Sequence, residues 1–161
     1  MRSDAKRQTW LVLMLGFALS PLIYGLLAHM LASNPQRERV AAPSPSLYPG
    51  LLALGAAELI YAVLTMRSLM RPVNAAAERG GAGSEALPSP QAFQSKSIAA
   101  AAIAVSASVV GILYFFLGSK PADYIPFAVG TLLVMALYII PQGLKYWSVM
   151  ERYGGAPDGK L

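Results

Sequence analysis

Four apolar stretches, each long enough to cross a lipid bilayer, run through this chain: Thr9–Ala32, Leu47–Met66, Ser97–Gly118 and Tyr124–Tyr146. The hydrocarbon layer is ~30 Å thick, and about 20 residues of helix cover it. In hydrocarbon each backbone amide and carbonyl needs a partner, and a lone segment finds one only as a helix. The expected fold is therefore all-α, an integral membrane bundle of four transmembrane helices in two antiparallel hairpins. Charged residues make up 13% of the 161 positions, against about 25% in an ordinary soluble domain. The spans leave no room for a separate soluble domain, so residues 1–161 are expected to form a single transmembrane domain.

Lys and Arg set the orientation. Arg2, Lys6, Arg7, Arg67, Arg71, Arg79, Lys96, Lys145, Arg152 and Lys160 fall on one side, and only Arg37, Arg39 and Lys120 on the other. Basic residues favour the cytoplasmic side. Both termini and the middle connection are thus expected in the cytoplasm, with a bacterial inner (plasma) membrane as the expected location. The first span has a basic start, but its apolar run exceeds that of a signal peptide, so it reads as a retained helix. The net charge of +5 suits anionic headgroups. Without a basic stripe or stacking platform, no nucleic-acid partner is expected. There is no cysteine and a single histidine, His29, so neither a metal site nor a cofactor is expected. His29 reads as an interfacial side chain, with a proton relay as the other reading.

Proline, glycine and aromatic residues punctuate the spans. Trp10 marks the cytoplasmic interface, and Pro21 predicts a kink that Ser20 can help satisfy. Pro35, Pro43 and Pro45 mark an outer loop, and Pro49 opens the second span. Arg67 ends that span, with Arg71-Pro72 closing it. Residues 73–95, rich in Ala, Gly, Ser and Pro, read as a flexible cytoplasmic linker. Its Gly80-Gly81-Ala82-Gly83 lacks the Lys-Ser/Thr of a phosphate loop. Ala100, Ala104 and Ser108, with Ala107 and Gly111, make the third span a close-packing helix. Gly118-Ser119-Lys120-Pro121 is an outer turn, Pro126 opens the fourth span, and Pro141 kinks or closes it. Tyr146, Trp147 and Tyr153 beside Lys145 and Arg152 read as a membrane-surface anchor, with a docking segment as the other reading.

Glu58 is the one acid inside a span. Nine residues separate it from Arg67, which puts it about 13–14 Å from the boundary, near mid-membrane. Ser20, Ser106 and Ser108 fall at a similar depth, and Thr131 somewhat nearer the outside. A charged carboxylate at the bilayer centre costs at least about 2.5–3.5 kcal/mol. The expected form is the neutral acid, able to donate to Ser106, Ser108 or the Phe17 carbonyl. Two readings stay open: a hydrogen-bonding clip between helices, or a group that binds and releases H⁺ or Na⁺, with Ser20, Ser106 and Ser108 as supporting ion ligands. No base stands in a pattern that would activate a serine, so no catalytic residue is expected.

The segments Gly55-Ala56-Ala57-Glu58-Leu59-Ile60-Tyr61 and Ala104-Val105-Ser106-Ala107-Ser108-Val109-Val110-Gly111-Ile112-Leu113 resemble the proteolipid (rotor ring subunit c) group of rotary ATPases. Gly118 to Pro141, with Pro126-Phe127, is similar to the second hairpin of uncharacterised bacterial four-span proteins. Span four here has no acid, and the loop that would touch the rotor stalk lacks the Arg-Gln-Pro of that group. The proteolipid resemblance implies that Glu58 is an ion-binding carboxylate. The residues themselves favour a non-enzymatic membrane subunit or accessory protein, partnered by the bilayer and by other membrane subunits or copies of itself. A proteolipid-like H⁺- or Na⁺-translocating subunit is the alternative.

Overall fold

Small residues decide which helix lies at the centre. In a computed structural model describing residues 2–34, 44, 46–81 and 87–153, helix α3 (Pro90–Phe116) buries Ala100, Ala101, Ala104, Ala107, Ser108 and Gly111. Around it pack α1 (Arg2–Ala32), α2 (Leu47–Glu78) and α4 (Ile125–Val134). A π turn (Met135–Ile139) joins α4 to α5 (Ile140–Tyr153), completing the fourth span. All four spans are long and apolar enough to cross a membrane. The protein is an all-α integral membrane bundle. Its outward apolar side chains, such as Val12, Leu26 and Leu137, are what lipid solvation requires.

Close approach is carried by glycines. The Phe127 ring is wedged between α2 and α3. A Cβ on Gly55 would stand 3.0 Å from that ring, and one on Gly111 2.8 Å from the Phe127 Cβ. With little hydrophobic drive between helices in lipid, such packing takes over the work of association.

The helices outrun the expected spans. Helix α2 continues through Arg71-Pro72 to Glu78, and α3 starts at Pro90, so much of the linker expected over residues 73–95 is helical. Pro72 removes one backbone bond, but Leu69, Met70 and Val73 are buried in one cluster with Phe93, Tyr146 and Val149. That burial outweighs the lost bond. Helix α2 stops only where Gly80 takes φ +62° and the Gly81 amide donates back to the Ala76 carbonyl (2.9 Å), a glycine-dependent stop. Ser89 then caps α3, accepting from the Ala92 amide, with Pro90 in the first turn. The outer-loop residues Pro35, Arg37, Arg39, Pro43 and Pro45, along with Ala82, Gly83 and Lys160, lie outside the described residues.

Pro141 neither ends the fourth span nor breaks it. It has no amide to donate and crowds the carbonyl of Leu137. The helix absorbs this as the π turn, in which the Ile140 amide donates to the Met135 carbonyl. Phe127, Thr131, Met135, Ile139 and Gly143 are all buried, at intervals of four. Each such step in an α-helix overshoots a full turn by about 40°. The wider π turn takes up part of that drift and keeps the inward residues inward.

The aromatic residues expected to face the membrane surface turn inward instead. Trp10, Tyr146 and Trp147 are all buried. Phe93 stacks on Tyr146 with centroids 3.6 Å apart, and Trp10 and Trp147 each lie 6.1 Å from Phe93. Trp10 Nε1 donates to Ser97 Oγ (2.9 Å), the Tyr146 hydroxyl donates to the Pro88 carbonyl (2.8 Å), and Gly143 leaves room for the Trp10 ring. At the opposite end, the Tyr124 hydroxyl donates to the Pro21 carbonyl (2.7 Å) and its ring covers Gly25. Pro21 is thus tied to span four, while Ser20 Oγ donates to the Gly16 carbonyl.

Candidate functional site: the mid-membrane polar layer

Contacts set the level of each polar group. Gly55 of α2 stands against Ala107 of α3 and Phe127 of α4, and Leu59 packs where a side chain on Gly130 would go. Glu58, between Gly55 and Leu59, is therefore level with the Gly130–Thr131 turn. Thr131 reaches α3 at that level, with Oγ1 placed to donate to the Ala104 carbonyl (3.1 Å) or to its own Phe127 carbonyl (2.9 Å). Ser108 Oγ donates to Thr131 Oγ1 (2.8 Å). Ser108 and Thr131 are both buried.

The expected Glu58 bonds are not formed. Ser106 Oγ donates to the Ile103 carbonyl of its own helix (2.6 Å), Ser108 is committed to Thr131, and Ser20 to Gly16. The structure brings Ser108 together with Thr131 and leaves Glu58 and Ser20 apart from that pair. The clip between helices is thus Ser108–Thr131, and Glu58 takes no part in it. Glu58 is half-buried, and its Oε2 is buried with no hydrogen-bond partner. Leaving a buried acceptor bare costs about 1–3 kcal/mol. Among the described residues, no three His, Cys, Asp or Glu side chains come together to hold a metal ion.

The Ser108–Thr131 pairing was hidden by the assumed start of span four. Depth counted from Tyr124 places Thr131 too shallow. The ordered 3₁₀ turn Pro121–Tyr124 precedes α4, and at about 2 Å per residue it carries Thr131 down to the Ser108 level. His29, the other candidate for proton transfer, is exposed in the last turn of α1, and its carbonyl accepts from Ser33 Oγ.

Fold and span lengths define a multi-pass integral membrane protein. No known family, no curated protein and no solved structure matches it.

Proposed function

We propose that this protein is a non-enzymatic membrane subunit or accessory protein, and that a helix of another chain completes the Glu58 site. The unpartnered Glu58 Oε2 carries this reading: it is closed off within the isolated chain, and the half-buried side chain turns outward to receive the partner's donor. Beside it, α2 exposes Leu54, Ile60, Tyr61 and Leu64, an apolar surface on which a second membrane helix can lie. The partner's chemistry follows from the acid: a side-chain donor or a cation near mid-membrane. Interhelical bonds of this kind contribute about 0.6–2 kcal/mol. The hydroxyls of Ser20, Ser106 and Ser108 donate to carbonyls or to Thr131, which supports a structural rather than a nucleophilic role. The basic flanks favour both termini in the cytoplasm of a bacterial cell.

Copurification in mild detergent tests the reading. A stoichiometric companion is expected to survive Glu58→Gln, which keeps a carbonyl acceptor, and to be lost in Glu58→Leu. A companion indifferent to Glu58→Leu removes the proposal. The same bare oxygen also suits the second reading, a proteolipid-like H⁺ or Na⁺ carrier. That reading requires carbodiimide labelling of Glu58 that Na⁺ or high pH suppresses.

A further inference from the structure

Helix α5 carries a second cluster that neither reading uses. Lys145, Ser148, Val149, Arg152 and Tyr153 follow the spacing i, i+3, i+4, i+7 and i+8, which places them on one face of a helix. With Ala77 of α2 they line a cleft of about 180 Å³. Tyr153 forms one wall. Its ring lies against Gly81, at φ +98°, where a Cβ would stand 2.5 Å from Tyr153 Cδ1.

Among the described residues the charge balance around this cleft is one-sided. The acid of α5, Glu151, is paired with Arg7 at 2.6 Å. Glu78, next to Ala77, is exposed and does not line the cleft. Among the described residues, neither Lys145 nor Arg152 has a carboxylate partner. They sit two turns apart, roughly 10 Å along the axis, both exposed and both lining the cleft. Arg offers a planar fork of donors and Lys a compact charge, the pair suited to a phosphate oxyanion. Ser148 Oγ already donates to the Lys145 carbonyl, which leaves recognition to the two cations.

Position and size narrow the ligand. The cleft lies on the last turns of the fourth span, beyond the buried Tyr146 and Trp147, at the water-facing end of the bundle. A volume of about 180 Å³ is large enough to admit a phosphoryl group. A free phosphate shares this chemistry, but headgroup phosphates are concentrated at this level and anionic lipids favour basic residues there. We propose that the cleft formed by Lys145, Arg152, Tyr153 and Ala77 binds the headgroup phosphate of an anionic phospholipid.

The full chain, reconstituted in equal parts phosphatidylglycerol and phosphatidylcholine and then extracted gently, is to be examined by native mass spectrometry for retained lipid. Retention of phosphatidylglycerol over phosphatidylcholine is expected. That preference should fall about fivefold in Lys145→Gln or Arg152→Gln, and roughly 25-fold in the double variant. The double variant Arg67→Gln/Arg71→Gln removes the same charge from exposed positions outside the cleft and should lower the preference much less. An unchanged preference in Lys145→Gln/Arg152→Gln, or an equal fall in Arg67→Gln/Arg71→Gln, overturns the site. Displacement of the lipid by millimolar inorganic phosphate overturns the lipid as its source and assigns the cleft to a soluble anion.

Discussion

Between α3 and α4, Ser108 and Thr131 lie 2.8 Å apart, and Thr131 reaches the Ala104 and Phe127 carbonyls. One helix away and at the same level, Glu58 Oε2 is buried with no donor to receive from. The difference lies in the side chains. A hydroxyl is both donor and acceptor, and in a helix it can return its proton to a carbonyl one turn back. An ionised carboxylate only accepts, and even the protonated acid keeps one oxygen that must accept. Amides inside a helix are already committed to its carbonyls. A hydroxyl in a membrane helix can therefore find its partner one turn back, as Ser20, Ser106 and Thr131 do, whereas a glutamate needs a donor from outside its own helix.

This contrast can be broken from either side, and unfolding in mixed detergent micelles measures the result. The largest effect is expected at the packing that holds the α3–α4 seam closed. Gly111→Leu drives a side chain into Phe127 and should destabilise by about 3 kcal/mol. Next, Glu58→Leu should stabilise the isolated chain by about 2 kcal/mol, because it removes a bare acceptor. Destabilisation by that variant would show that Glu58 is already satisfied within the chain. Thr131→Val takes the acceptor from Ser108 and the donor from Ala104, a loss of about 1 kcal/mol. Ser108→Ala should cost only about 0.6 kcal/mol, since Thr131 keeps its carbonyls. Ser106→Ala, whose hydroxyl returns to its own helix, serves as the reference with no measurable change.

Much of the fold was legible because hydrocarbon thickness and backbone satisfaction leave a sequence few options. The four spans, the small-residue face of α3, the Gly118 turn and the tolerance of Pro126 all follow from local chemistry. The inward turn of Trp10, Tyr146 and Trp147 was not legible. An aromatic near a span end has the same composition whether it meets headgroups or a neighbouring helix, and only the partners Gly143, Ser97 and Phe93 decide. The extension of α2 past Pro72 was hidden for a similar reason: its support comes from residues distant in sequence, Phe93 and Val149. At the site, depth put Glu58, Ser20, Ser106 and Ser108 at one level. It could not reveal that Ser108 turns toward Thr131, because that choice depends on how α3 and α4 are rotated against each other.

If Glu58 belongs to an interface between chains, its exposed neighbours on α2 meet the partner. Tyr61, one turn away on α2, is 61% exposed and can be replaced by a photo-crosslinking benzoylphenylalanine in native membranes. Such an interface yields a discrete protein adduct that persists with Glu58→Gln and vanishes with Glu58→Leu. Lipid adducts alone, or a protein adduct of equal yield in Glu58→Leu, would contradict it.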